Sequence, residues 1–149
     1  MGSIKNLSLL ISNYTKIDQG LLLIRITFGS LMFYSHGLSK ILAGPERWNR
    51  LGGALTDLIG LSFLKTFFGF MASFSESICA LLIVLGLFTR LSSFLLFFTM
   101  FIASVKHFAD GDLPEMALLY GIFCLFMILT GPGKYSLDKK YFSKYFEGI

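Results

Sequence analysis

Four long apolar segments are the feature of this sequence that most constrains its fold. They cover about residues 20–42, 63–88, 91–108 and 115–130. A bilayer core about 30 Å thick needs roughly 20 helical residues to cross it. The first two segments are long enough with some tilt, and the last two are somewhat shorter, which polar residues at their ends can accommodate. The sequence therefore predicts an all-α membrane protein, a bundle of four transmembrane helices.

The composition agrees with a chain whose solvent is lipid. Hydrophobic residues make up 54% of the chain and charged residues only 15%, whereas soluble domains carry about 25% charged residues. The net charge is +4, but the basic residues flank the apolar segments, where membrane orientation explains them better than nucleic-acid binding does. We therefore expect lipid as a partner and no nucleic acid.

The breaks between the segments predict their connections. Only Thr89 and Arg90 separate segments two and three, so these two segments should form an antiparallel hairpin. Pro114 stands where the first turn of helix four should begin, a position that proline favours. Gly131-Pro132-Gly133 should end that helix.

The stretch between the first two segments has the pattern of a short amphipathic helix. Trp48, Leu51, Leu55 and Leu58 fall at helical spacing, with charged residues elsewhere on the wheel. This pattern predicts an interfacial helix between helices one and two, lying on the outer membrane surface. The alternative is a plain connector that Trp48 anchors to the membrane.

Basic residues predict the orientation of the chain. Seven of them fall on one side of the predicted membrane, whereas the opposite loops and helix ends carry five basic residues together with five acidic ones. This bias places both termini in the cytoplasm, with tails at 1–18 and 133–149. The run Leu7–Ser12 is too short for a signal-peptide core, so helix one should be retained. The seven basic residues are Lys5, Lys16, Arg90, Lys134, Lys139, Lys140 and Lys144, and aromatic residues among the last of them (Tyr135, Tyr141, Phe142, Tyr145, Phe146) should hold the tail at the inner interface.

Ionisable residues inside the apolar segments are the strongest functional signal. Each is costly if it faces lipid, so each should face the bundle interior and find a partner. At a rise of about 1.5 Å per residue, His36, Glu76, His107 and Glu115 reach similar heights in the outer half. We therefore predict one polar cluster, centred on Glu76, which lies far from either helix end.

Other polar residues have simpler explanations. Arg25 and Lys40 share one face of helix one with His36. Arg25 lies near the cytoplasmic end, where it can reach the inner interface or bond the loop around Thr89. Lys40 can simply extend to the outer interface. Glu115 suits the first turn of a helix, and the two histidines can contact headgroups or water.

The two cysteines, Cys79 and Cys124, both lie within apolar segments and are expected to be small buried hydrophobes. No CxxC and no Cys/His cluster is present, so the sequence predicts no metal site. It also has no convincing haem axial pair, iron–sulfur cysteines, or flavin or dinucleotide motif. Any electron chemistry therefore needs a partner or a diffusible carrier.

Three stretches of the chain resemble the DoxX family of small bacterial membrane proteins. They are Leu22–Lys40 with the HGxxK end of helix one, Glu76–Arg90 with the GLxTR turn, and Glu115–Asp138 ending in GPGKYSLD. The N-tail and the extension after Asp138 are unmatched. The resemblance implies one membrane domain over 1–149, located in the bacterial inner membrane. The family's polar positions fall here on Arg25, His36, Lys40, Glu76, Arg90 and Glu115.

The same resemblance implies a function linked to membrane redox chemistry. The family name comes from a subunit associated with a thiosulfate:quinone oxidoreductase, and relatives are linked to thiol and oxidative-stress systems. A quinone ligand and a partner oxidoreductase follow as expectations, with His36 and Glu76 supplying a hydrogen-bond donor and a titratable group. Two alternatives remain open: a small oligomeric transporter or proton-linked permease, and a non-catalytic scaffold or assembly factor. The residues do not decide whether the protein is an enzyme.

Overall fold

The computed structural model describes residues 16–146, and the described chain is helical without strands. The predictions on Lys5, on Leu7–Ser12 and on the side chains of Lys144, Tyr145 and Phe146 lie outside what is described. In chain order the helices are α1 (Ile17–Ile41), α2 (Pro45–Ile59), α3 (Ser62–Leu85), α4 (Thr89–Ala109), α5 (Glu115–Thr130) and α6 (Leu137–Phe146).

Three helices of the described chain are long and apolar enough to cross a membrane. These are α1, α3 and α4, with 25, 24 and 21 residues. Helix α5 is equally apolar but has 16 residues, so its crossing stays a prediction. The fold is thus an all-helical bundle of the membrane type, with three to four apolar helices.

The turn between α3 and α4 lies three residues earlier than predicted. Gly86 takes the left-handed conformation at φ 69°, and the Leu87 N–H bonds the Leu82 carbonyl while the Gly86 N–H bonds that of Ile83. This is the Schellman arrangement that ends a helix. Thr89 and the residue after it therefore form the first turn of α4, and the prediction that they separate the two helices was wrong. Apolar residues continue on both sides of Gly86, so the sequence pattern gave no sign that α3 ends there.

Small residues let the helix backbones approach closely. A Cβ at Gly29 would collide with Val84, and one at Gly37 would collide with the backbone of Glu76. Packing of α1 on α3 therefore requires glycine at both positions, as is common where helices associate in lipid.

Helix α2 lies antiparallel along the first half of α3. A Cβ at Gly52 would overlap the backbone of Lys65, and one at Gly69 would overlap that of Trp48. Trp48 also donates its indole N–H to the carbonyl of Lys40 at 2.9 Å, which attaches the start of α2 to the end of α1. A helix is thus present where the amphipathic pattern predicted one, and its location at the membrane surface stays a prediction.

The core lies between α1, α3, α4 and α5. Phe28 of α1 stacks on Phe123 of α5 at a centroid distance of 4.8 Å and meets Tyr120 edge-on at 5.8 Å. Cys79 and Cys124 are free thiols, 1% and 0% exposed, and pack as the small apolar side chains that the sequence predicts.

Candidate functional site

Helices α1 and α3 both widen at the level where they cross. A π-helical turn covers Phe33–Gly37 in α1, and another covers Ser75–Cys79 in α3. Gly37 sits directly against the backbone of Glu76, so the two turns face each other. Such turns interrupt the regular α-helical hydrogen bonds and are frequent at functional sites. His36 and Glu76, both predicted site residues, lie within them.

A partly buried ion pair joins the two helices beside these turns. The Lys40 ammonium donates to Oε2 of Glu76 at 2.5 Å. The Glu76 side chain is 4% exposed and that of Lys40 is 21% exposed. Lys40 therefore does not simply extend to the interface, as one interpretation of the sequence had it. Because Glu76 is withdrawn from solvent, removing Lys40 would leave a carboxylate without its counter-ion, which is strongly destabilising.

The ion pair forms part of the wall of a cavity of about 130 Å³ between α2, α3 and α4. We call this space the ion-pair cavity. Its third polar side chain is Thr99, whose Oγ1 lies 2.7 Å from Oγ of Ser75. An apolar protein cavity of about 150 Å³ holds one benzene molecule, so this space is of the size of a single six-membered ring. Its apolar walls include Leu51, Leu55, Phe68, Met71, Phe98 and Ile102.

The other members of the predicted cluster lie elsewhere. His36 packs its ring edge-on against Tyr120 at 5.9 Å and does not line the ion-pair cavity. His107 and Glu115 are exposed. The prediction of one cluster from four helices is therefore corrected to a pair from two, Lys40 and Glu76. Similar heights along the helix axes did not fix the directions in which the side chains point.

No metal centre is visible in the described chain: between residues 16 and 146, no three His, Cys, Asp or Glu side chains are arranged to hold a metal ion.

Arg25 is buried at the opposite end of the bundle rather than reaching toward an interface. Its guanidinium is 0% exposed and donates to the carbonyl of Tyr135 at 2.7 Å. The guanidinium packs against Gly86. A Cβ added at Gly86 would overlap the guanidinium and would also collide with the side chain of Ser136. Arg25 thus bonds the segment after α5, and the expected bond to the loop around Thr89 is replaced by packing against Gly86.

Asp138 is a second charged residue with specific long-range contacts at this end of the bundle, and the sequence did not mark it as a site residue. Its carboxylate accepts the backbone N–H groups of Phe88 at 2.7 Å and Thr89 at 2.8 Å. Its own N–H donates to the carbonyl of Gly86 at 2.8 Å. The carboxylate therefore caps the start of α4, where N–H groups lack helical partners. We call Arg25, Gly86, Tyr135, Ser136 and Asp138 the Asp138 cluster.

A signal for Asp138 was available in the sequence. It ends GPGKYSLD, the last of the three stretches that resemble the family. The turn residues named from the sequence fall beside it: Thr89 is buried, and Arg90 is exposed with its guanidinium next to Gly131.

Comparisons with known proteins identify the family. The DoxX family profile matches residues 20–108, a range that holds the first two stretches quoted above and stops before the third. A protein of Haemophilus influenzae, described as uncharacterised, is 31% identical over 122 residues, covering 76% of this chain and 84% of that protein. An uncharacterised membrane protein of Mycobacterium tuberculosis is 28% identical over 139 residues, 78% of each chain. No solved structure matches the chain. The resemblance seen in the sequence is confirmed, and the protein belongs to the DoxX family.

Proposed function

We propose that this DoxX protein is a redox-linked membrane subunit that binds the ring of a quinone in the ion-pair cavity. One observation carries the proposal. A partly buried ion pair, Lys40–Glu76, forms part of the wall of an otherwise largely apolar cavity whose volume suits one ring. Ligand sites commonly combine apolar walls with a few polar groups that fix the orientation of the ligand.

The polar groups of the cavity match the chemistry of a quinone. Quinone carbonyl oxygens accept hydrogen bonds, and an ammonium group has three N–H donors. Among the described residues Lys40 gives one of these to Glu76, which leaves others for a carbonyl oxygen. The Thr99 hydroxyl, also in the wall, donates to the Leu95 carbonyl at 3.1 Å and can supply a second donor by turning from that carbonyl to the ligand. The donor role expected of His36 therefore passes to Lys40.

The Lys40–Glu76 pair also supplies groups for proton exchange. Reduction of a quinone to a quinol takes up two electrons and two protons. In this proposal the electrons come from a partner oxidoreductase, because the sequence carries no motif for a redox cofactor of its own. A paired ammonium and carboxylate can pass a proton to or from a bound oxygen, and charged groups inside a membrane commonly mark such paths.

A quinone titration followed by tryptophan fluorescence tests the proposal. Trp48 is the single tryptophan of the chain and contacts the backbone of Lys40, so a quinone in the cavity should quench its emission. We expect saturable quenching in lipid nanodiscs, with affinity about tenfold lower, or about 1.4 kcal/mol, in both Lys40→Met and Thr99→Val.

Lys65→Met is the matched control. Lys65 forms an ion pair with Asp57 at 2.8 Å, but both side chains are more exposed than those of the cavity pair. Its substitution should leave quinone affinity unchanged. Quenching that never saturates, or that is weakened equally by all three substitutions, would refute a specific site. Loss of stability without any loss of affinity would favour the scaffold alternative.

We also propose that the chain lies in the bacterial cytoplasmic membrane with four crossing helices and both termini in the cytoplasm. The support is the excess of basic residues in the loops and tails on one side. Single cysteines introduced at Ser62 and Lys134, with Cys79 and Cys124 replaced by alanine, should react with an impermeant thiol reagent from opposite sides. Labelling of both from the same side would exclude this topology.

A further inference from the structure

The two ends of the bundle hold their exposed charges differently. At the end where α1 finishes and α3 begins, three lysines form ion pairs with carboxylates: Lys40 with Glu76, Lys65 with Asp57 and Lys106 with Asp110. The opposite end, where the Asp138 cluster lies, has five exposed basic residues. In the part of the chain that the structure describes, none of these five takes part in an ion pair. We call them the basic face: Lys16, Arg90, Lys134, Lys139 and Lys140.

The carboxylates at this end bond backbone instead of the basic side chains. Asp138 accepts the N–H groups of Phe88 and Thr89, and Asp18 accepts that of Lys134. Both carboxylates therefore hold the course of the chain. Within the described residues this leaves the basic face with an excess of positive charge that an anion from outside the chain can neutralise.

The basic face is continuous because long-range contacts bring its segments together. The Arg90 guanidinium lies against Gly131, with Nη2 3.5 Å from the position that a Cβ would occupy. Lys134 follows three residues later, and its N–H bonds Asp18 of α1, two residues after Lys16. The first turn of α6, which holds the last two members, is bonded to the start of α4.

Helix stability does not explain a basic residue at position 90. Arg90 lies in the first turn of α4, which has no acidic residue. The helix dipole is positive there and favours acidic side chains, so a guanidinium at this position is unfavourable within the chain itself. The same positive end attracts anions such as phosphate, and the arginine adds to that attraction.

Exposed aromatic rings at the same end favour a membrane surface over a soluble partner. Phe88, Tyr135 and Tyr141 are 53%, 50% and 61% exposed, and the Phe88 ring packs on that of Phe142 at a centroid distance of 5.6 Å. Tyrosine rings are enriched at the level of the lipid headgroups. The phosphate groups of lipids lie at the same depth, within reach of the basic face.

We propose that the basic face binds the headgroup of an anionic phospholipid, with the Arg90 guanidinium and the Lys134 ammonium on its phosphate. Arginine fits a phosphate with two parallel N–H donors, and lysine adds a point charge. Clusters of basic residues next to membrane helices are typical of anionic-lipid recognition. The proposal is independent of what occupies the ion-pair cavity, so it does not depend on quinone binding.

A lipid titration followed by native mass spectrometry tests the proposal. The full chain in a neutral detergent is titrated with short-chain phosphatidylglycerol, or with phosphatidylcholine, which has a phosphate but no net charge. Arg90→Gln and Lys134→Gln each remove one positive charge from the basic face. Arg50→Gln is the matched control, because Arg50 is an exposed arginine at the opposite end of the bundle and its substitution removes the same charge.

We expect phosphatidylglycerol to bind the wild type about tenfold more tightly than phosphatidylcholine. Arg90→Gln and Lys134→Gln should each weaken phosphatidylglycerol binding about fivefold, the effect of about one cation near an anionic lipid surface, and should leave phosphatidylcholine binding unchanged. Arg50→Gln should change neither affinity. Unfolding by SDS should occur at the wild-type concentration in all three variants, because no side-chain bond within the described chain is lost from Arg90 or Lys134.

Four results would overturn the proposal. Equal affinity for the two lipids would exclude recognition of the anionic headgroup. A loss in Arg50→Gln as large as that in Arg90→Gln would reduce the effect to the total charge of the protein. Displacement of the lipid by an equal concentration of glycerol phosphate would assign the basic face to a soluble phosphate compound. Tighter binding of a polyglutamate peptide than of phosphatidylglycerol would assign it to an acidic protein.

Discussion

The molecule buries charge at two ends in two different ways. At the ion-pair cavity two side chains, Lys40 and Glu76, neutralise each other in the cavity wall. In the Asp138 cluster the charged groups bind backbone instead: Arg25 bonds a carbonyl, and Asp138 bonds two N–H groups.

The difference separates a binding site from a structural joint. Side chains that pair with each other can exchange partners when a ligand arrives, because neither fixes the course of the chain. Groups bonded to backbone hold α1, the α3–α4 turn and the segment after α5 in one arrangement. We therefore expect the ion-pair cavity to depend on charge balance and the Asp138 cluster to depend on shape.

The largest expected effect is at the ion pair. Lys40→Met should lower the free energy of unfolding by about 4 kcal/mol, because it leaves Glu76 buried without its partner. Lys65→Met, which removes a more exposed pair, should cost at most about 0.5 kcal/mol. Unfolding of the purified protein in mixed micelles by increasing SDS gives both values.

The double variant Lys40→Met/Glu76→Met sharpens this first prediction. Removing both charges should recover most of the stability, because a buried ion pair is often replaceable by apolar side chains. If the double variant is no more stable than Lys40→Met, the charge-balance interpretation of this end is wrong.

The next effect is at the joint between Gly86 and Arg25. Both Gly86 and Gly60 have positive φ, at 69° and 72°, so alanine at either costs about 1 kcal/mol of backbone strain. Gly60 has no atom near its Cβ position, whereas Gly86 has the Arg25 guanidinium. Gly86→Ala should therefore cost about 2 kcal/mol more than Gly60→Ala, as overpacking does. Equal losses in the same unfolding assay would show that the cluster tolerates a change of shape.

The smallest effect is at the cap of α4. Asp138→Ala should cost about 1.5 kcal/mol, the range found for loss of a helix cap. Asp18→Ala is its control, because Asp18 accepts a single, exposed backbone N–H, that of Lys134 at 2.8 Å, and its loss should cost about 0.5 kcal/mol. Hydrogen exchange at the amide of Thr89 should accelerate in Asp138→Ala and stay unchanged in Asp18→Ala. Unchanged exchange in both would mean that the carboxylate does not hold this amide.

Much of the fold was predictable because it follows from apolar length and helix-breaking residues. The segments proposed near 20–42, 91–108 and 115–130 correspond to α1, α4 and α5 within a few residues. The tail was harder to predict, because its aromatic residues suit an anchor at the membrane interface as well as a helix, and Asp138 lies among lysines. The positions of α6 and Asp138 depend on contacts with the α3–α4 turn, which lies some 50 residues earlier in the chain.

The candidate site was half predictable for the same kind of reason. Glu76 and Lys40 stood out because a charged side chain in an apolar segment is costly in free energy if it faces lipid. The sequence did not reveal that they pair, nor that His36 turns to Tyr120, because both outcomes depend on the direction of each side chain around its helix. Two π-helical turns set these directions, and ordinary 3.6-residue periodicity does not anticipate them.

By itself the sequence determined that this chain belongs in a membrane, which of its apolar segments are helices, and which few charges had to find partners. Those properties follow from the free energy of transfer of each side chain from water to lipid, which depends on the residue type and not on its neighbours in the fold. Tertiary structure alone decided which partners they found: Glu76 with Lys40, Arg25 with a carbonyl after α5, and Asp138 with the start of α4. Which groups pair depends on the distances and directions between side chains of different helices. That geometry is set only when the helices pack, which glycines such as Gly37 allow.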